Sequence, residues 1–239
     1  MRPYLFIDAG GTLVFPNSAM LSEILREHAY SVAGERLDRA VAGTVYDYDE
    51  GLASGRRQWN PHSFFEQLLE RAGIQAKHVK AIAARLEALN AQRSLWSTTY
   101  PWVRETLSWL ATHGYRMSII SNADGRVAQE FARLGLAAHF EAIFDSHVVG
   151  YSKPDARIFQ HAMSELGLQP EDCIYVGDMY YVDVLGANRA GMAGLQVDRF
   201  GLYGKWPGMR IPTVAALPDL LSDGLNWQDE SLFPLRGEA

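Results

Sequence analysis

From Tyr100 onward the chain alternates short apolar runs with amphipathic stretches of helical period, and this rhythm restricts the fold more than any other feature of the sequence. Residues 102–113 read as a helix, 116–121 as a strand, 125–135 as a helix and 142–145 as a short strand. A helix at about 155–167 follows, then the strand Ile174-Tyr175-Val176, a helix at about 182–191 and a last strand at Gly194–Val197. Strands that are apolar along their whole length are buried on both faces, as in a parallel sheet covered by helices on both sides. The expected fold class is therefore α/β, with a doubly wound, mostly parallel sheet.

Residues 15–95 break the rhythm. They carry amphipathic stretches and no convincing strand: Leu21-Ile24-Leu25, Phe64-Phe65-Leu68-Leu69 and Val79-Ile82-Ala83-Leu86 recur at helical spacing. The sequence thus predicts a core domain at 1–14 and 96–239 and an all-helical insertion at 15–95, with Val14–Asn17 as the outgoing hinge and 92–101 as the return. No internal repeat or low-complexity segment is present; 213–222 reads as a short helix and 229–239 as a frayed end.

Composition narrows the function classes. A formal net charge of −6 without a Lys/Arg run excludes nucleic acid as the main expected partner, because backbone phosphate binding needs a clustered basic surface. The single cysteine, Cys173, precedes an apolar run and is expected to be a buried core residue in a reducing compartment. No signal-peptide pattern precedes Asp8 and no run of 18 apolar residues occurs, so a soluble, cytoplasmic protein without a membrane partner is expected, as a monomer or homodimer.

The chemistry-bearing residues fall at strand ends. Asp8 follows Tyr4-Leu5-Phe6-Ile7 and should sit at the carboxyl end of the first strand, where open parallel sheets place their ligand crevice. A carboxylate there can act as a nucleophile toward phosphorus, or can merely close a turn. Gly10 and Gly11 would let the backbone approach a phosphate, and Thr12 offers a hydroxyl to it or to the loop. Ser121-Asn122 ends the run Met117–Ile120, where a hydroxyl can bind a phosphoryl oxygen or cap a helix. Lys153 lies in Gly150-Tyr151-Ser152-Lys153-Pro154-Asp155, where a fixed ammonium would offset phosphate charge. Asp178 and Asp183 bracket Met179-Tyr180-Tyr181-Val182 after the next apolar run; such a pair can hold a hard cation, and Asp183 can equally favour a helix N-terminus.

Taken together and in this order, Asp8-Ala9-Gly10-Gly11-Thr12, Ser121-Asn122, Lys153-Pro154 and Gly177-Asp178 with Asp183 resemble the four motifs of the haloacid dehalogenase-like (HAD) hydrolase superfamily. The resemblance implies a Rossmann-like core with the insertion as a mobile cap. It implies Mg²⁺ held by Asp8, the carbonyl of Gly10 and Asp178, with Asp183 accepting from a metal-bound water or from Lys153. It also implies a small phosphorylated substrate gripped by Ser121, the N–H of Asn122 and Lys153, and an aspartyl-phosphate on Asp8. The sequence departs from the superfamily's phosphatases at Gly10, where they usually carry a second Asp as general acid and base. That loss typically costs about 10²- to 10⁴-fold in rate. A good leaving group would offset it, as would another acid from the cap: Asp47, Asp49, Glu50, His28 or His62.

Relatives without this acid include 2-haloacid dehalogenases and phosphonatases. Dehalogenases need no metal and use an early cap arginine, absent from residues 14–25. Phosphonatases need a Schiff-base lysine, here Lys77 or Lys80, both in a stretch that reads as solvated. A phosphate- and metal-binding interaction protein without turnover is the alternative from another class. The stretches Gly150–Phe159 and Val176–Asp183 further resemble a subgroup named for a rhythmically expressed fly gene and its mammalian dehalogenase-like relatives. In the insertion, the loop Ser54–Pro61, with Arg56, Arg57 and Trp59, could contact an anionic or planar substrate or simply face solvent.

Overall fold

The computed structural model describes residues 2–56 and 61–229, the side chains of residues 61 and 62 excepted. Arg57, Trp59, His62 and the tail beyond residue 229 lie outside the described residues or side chains. The chain divides into two compact units, Met1–Val14 with Thr99–Ala239, and Phe15–Thr98.

The first unit opens with β1 (Tyr4–Ile7), every residue of which is buried. The chain then passes into the second unit, which begins with β2 (Phe15–Pro16) and continues through helices α1 (Ser18–Glu27), α2 (Gly34–Ala53), α3 (Pro61–Arg71) and α4 (Ala76–Gln92) to β3 (Trp96–Thr98). Asn17 starts α1 by accepting the Met20 N–H at 3.1 Å, satisfying one of the donors a helix N-terminus leaves open. Leu21, Ile24 and Leu25 of α1 meet Leu37 and Val41 of α2, Phe65, Leu68 and Leu69 of α3, and Ile82 and Leu86 of α4 in one apolar core. The helical spacing seen in the sequence is therefore the buried stripe of each helix. One feature differs from the expectation of helices alone: β2 pairs antiparallel with β3 and joins the two ends of the insertion. Two- and three-residue strands carry too little period to be read from sequence.

The first unit resumes with α5 (Pro101–Thr112), β4 (Met117–Ser121), α6 (Val127–Arg133), β5 (Ile143–Asp145), the short α7 (Ser146–Val149) and α8 (Ala156–Leu166). It ends with β6 (Cys173–Gly177), α9 (Leu185–Arg189), β7 (Ala193–Val197), β8 (Arg210–Ile211) and α10 (Leu217–Ser222). The six-stranded sheet runs β5-β4-β1-β6-β7-β8, and every ladder in it is parallel. All residues of β4, β6 and β7 are buried, the signature of a sheet covered on both faces. On one face Phe6, Ile120 and Tyr175 pack against Ile158, Phe159 and Ala162 of α8 and Ala187 of α9. Cys173 is buried in the same layer. The expected helix at 182–191 instead starts as a π-turn over Tyr180–Val184 and becomes α-helical at Leu185. β8 and α7 had no counterpart in the sequence reading. The strand order puts the carboxyl ends of β1, β4 and β6 side by side at the centre of the sheet, and the loops that leave them carry Asp8, Ser121 and Asp178.

Candidate active site

Asp8 prolongs β1 by one ladder bond, its N–H reaching the Val176 carbonyl at 2.8 Å. The chain then folds back on itself. Leu13 and Val14 both donate to the Ala9 carbonyl, at 2.9 and 2.8 Å, while Gly11 donates to the Val14 carbonyl at 2.9 Å. This tight loop needs Gly11 twice over: its φ is +81°, and a Cβ there would overlap the carboxylate of Asp178. Gly10 is half-buried on the loop, and Thr12 is fully buried with no hydrogen-bond partner for its hydroxyl among the described residues.

Lys153 is brought to Asp8 from a distant loop. Its ammonium lies 2.5 Å from Asp8 Oδ1, 2.7 Å from Asp183 Oδ1 and 2.7 Å from the hydroxyl of Tyr175. Its side chain is only 2% exposed. Asn122 fixes the backbone beneath it, with Oδ1 accepting the Lys153 N–H and Nδ2 donating to the Lys153 carbonyl, each at 2.8 Å. Asp183 is held on its other oxygen by the Met179 N–H at 2.9 Å. It fits against β6 only because residue 177 is glycine, where a Cβ would stand 2.5 Å from its carboxyl carbon. The π-turn supplies that placement, a common use of this geometry near functional groups. Asp178 leaves β6 beside Gly11, and its carbonyl accepts from Gln196 Nε2 at 2.5 Å. Ser121, buried, closes β4 opposite Asp145 of β5.

The sequence marks Tyr175 and Gln196 only as strand residues; the fold alone shows what their polar ends reach.

Burial pushes the Asp8 carboxyl up to about 7, against which the Lys153 ammonium pulls only partly. Burial also works against the charge on Lys153, but the carboxylates of Asp183 and Asp8 outweigh it and hold the ammonium above its ordinary range. The Tyr175 phenol is raised well above 10, by burial first and then by the charges of Asp183 and Asp8, so it stays protonated. Oxygens of Asp8, Asp178 and Asp183 lie within 4.8 Å of one another. Three carboxylates against one ammonium give a formal charge of −2 when all are ionised, and an all-oxygen donor set of that charge suits a hard divalent cation.

In the second unit, Asp47 is ion-paired to Arg71, Asp49 is fully buried on α2, and His28 and Glu50 are half-buried. Lys77 and Lys80 are exposed on α4, without the apolar surroundings that a Schiff-base lysine needs. Arg56 is exposed and donates to Ser54 Oγ at 2.7 Å.

Comparison with known proteins gives a consistent family. The haloacid dehalogenase-like hydrolase pattern matches residues 4–191. A glyceraldehyde 3-phosphate phosphatase of Methanopyrus kandleri is 32% identical over 229 residues, covering 92% of each chain. A phosphoserine phosphatase of Thermus thermophilus is 32% identical over 65% of this chain and 58% of its own. Among solved structures, the HAD-hydrolase YfnB of Bacillus subtilis bound to magnesium superposes with a TM-score of 0.65 at 15% identity, covering 92% of this chain and 99% of that one. The L-2-haloacid dehalogenase of Xanthobacter autotrophicus gives 0.61 at 20% identity, covering 94% and 100%, a likeness of fold. No described helix is long and apolar enough to cross a membrane.

Proposed function

The chain belongs to the haloacid dehalogenase-like hydrolase family, and from that premise we propose that it is a Mg²⁺-dependent phosphatase of a small phosphorylated metabolite. The observation that carries this reading is the buried ammonium of Lys153 held between Asp8 and Asp183, with Asp178 close enough to share a cation. Two relatives matched over nine-tenths of this chain, covering 92% and 91% of it, act, by name, on glyceraldehyde 3-phosphate, which favours a compact substrate. In the same reading the protein works in the cytoplasm without nucleic acid or membrane, as a monomer or homodimer. It falls in the subgroup named for the rhythmically expressed gene, which also holds mammalian dehalogenase-like relatives.

Asp8 attacks phosphorus, a carboxylate oxygen forming the new P–O bond as the bond to the leaving oxygen breaks. Water then attacks the aspartyl-phosphate, releasing phosphate and restoring Asp8. Asp8, Asp178 and the Gly10 carbonyl would hold Mg²⁺, which when bound neutralises phosphoryl charge. Asp183 has both oxygens engaged by Lys153 and Met179, so its part is to hold Lys153 rather than to face the cation directly. The Ser121 hydroxyl and the N–H groups of Asn122 and Thr12 would bind phosphoryl oxygens, with the charge of Lys153 beside them, while Gly11, whose N–H is given to Val14, lets the loop approach the phosphate closely. Gly10 brings no acid to the leaving oxygen, so substrates with good leaving groups are favoured.

Phosphate release is to be measured from an aryl phosphate, an acyl phosphate, glyceraldehyde 3-phosphate, other sugar phosphates and a nucleotide, with and without Mg²⁺. Metal-dependent release that Asp8→Asn abolishes is the expected result. A second reading, favoured by Gly10, is a protein that binds phosphate and metal without turning substrate over. Tight binding of a phosphorylated ligand with no release from any substrate would select it.

A further inference from the structure

Lys153 has three N–H bonds to give, and the fold uses all three. Asp8 takes one at 2.5 Å, Asp183 another at 2.7 Å, and the third goes to the neutral hydroxyl of Tyr175 at 2.7 Å. Tyr175 is itself fixed. It is fully buried on β6, its ring meets Phe159 edge-on at 5.1 Å, and its own proton goes to the Ile120 carbonyl on β4 at 2.8 Å. A strand crossing the centre of the sheet needs only an apolar side chain at this position, and phenylalanine would fill the same layer against Phe159. The hydroxyl is the part that packing does not explain, and it ends on the ammonium.

We infer that Tyr175 is a positioning residue. By taking the third N–H of Lys153 it locks the ammonium between Asp8 and Asp183, so that Lys153 is already in place against the nucleophile before substrate arrives. Two consequences follow for the Tyr175 hydroxyl. The nucleophile is oriented before substrate arrives, so the hydroxyl matters to turnover rather than to substrate affinity. The ammonium protons are also shielded by three acceptors, so they exchange slowly with water even in the free protein.

The catalytic half of this inference rests on the phosphatase reading above; the exchange half does not. The test uses the full-length ¹⁵N-labelled protein and its Tyr175→Phe variant, free of metal and with Mg²⁺. In the wild type, a slowly exchanging lysine ammonium signal that disappears in Lys153→Arg is expected. In Tyr175→Phe that signal should shift and exchange faster, while the thermal midpoint stays close to that of the wild type. On the best substrate, kcat should fall about ten- to a hundredfold, the size expected when a charged group loses one hydrogen bond, with KM within about twofold. An ammonium that exchanges as fast as a surface lysine in the wild type overturns the inference without any variant. So does an unchanged signal and kcat in Tyr175→Phe, or a rise in KM at constant kcat. Loss of activity that only tracks loss of folded protein overturns it as well. If the wild type hydrolyses nothing, the phosphatase reading fails, and the ammonium signal alone decides whether Tyr175 holds Lys153.

Discussion

Two adjacent glycines illustrate how differently one residue type can be used. Gly11 is required by the backbone, with φ at +81° and Asp178 filling the place of a Cβ, so its conformation is what lets two acidic loops meet. Gly10 has no positive φ among the residues described, and its interest lies in the side chain it lacks. Phosphatases of the family usually carry an acid there. If the rest of the site is intact, Gly10→Asp should supply a proton donor two residues from Asp8 and raise kcat on alkyl phosphates about tenfold or more, with a smaller gain on aryl phosphates that leave without a proton. Steady-state rates on the two substrate types check this. An equal change on both, or a fall on both, would mean that missing proton transfer is not what limits the protein.

At the scale of elements, α4 and β6 mark where the sequence could and could not be read. The spacing of Val79, Ile82, Ala83 and Leu86 states a helix and its buried face, and these residues pack together in the core of the second unit. Leu86 is fully buried there, so Leu86→Ala should destabilise that unit by about 2–5 kcal/mol, measured by urea unfolding. A cost below about 1 kcal/mol would mean the helix stripe is not packed as a core. On β6 the apolar pattern stated a strand, and the spacing to Asp178 and Asp183 placed acids just beyond its end. Nothing local marked Tyr175, whose hydroxyl meets partners 55, 22 and 8 residues away. The side-chain clamp of Asn122 on Lys153, 31 residues distant, was equally invisible; the sequence suggested only the Asn122 N–H. Short-range periodicity encodes elements, whereas polar partnerships are set by which strands become neighbours. The π-turn at Tyr180–Val184 was missed for a related reason: five residues of unusual winding leave the apolar period nearly unchanged, yet they decide where Asp183 points.

For the whole molecule, the cost of assembling this site should appear in stability. Folding buries Asp8 and raises its carboxyl from an ordinary 3.8 to about 7, so between these values the folded protein binds more protons than the unfolded chain. Stability contributed by the protonated carboxyl is then fully present below about pH 4 and is lost as pH rises through about 7. Surface carboxylates such as Glu141, held low by Arg116, act in the opposite direction, so the comparison must isolate one group. Asn at position 8 cannot titrate. In the presence of a chelator, the stability of the wild type relative to Asp8→Asn should fall steadily from pH 4 to pH 7 in urea unfolding. A divalent cation that binds Asp8 and Asp178 favours the ionised carboxylate, so saturating Mg²⁺ should flatten that fall, and its binding near pH 6.5 should release protons in calorimetry performed in two buffers. If the relative stability instead rises with pH under chelation, the Lys153 ammonium outweighs burial and Asp8 is ionised before any cation arrives. The cation would then serve substrate charge alone, with no part in preparing the nucleophile.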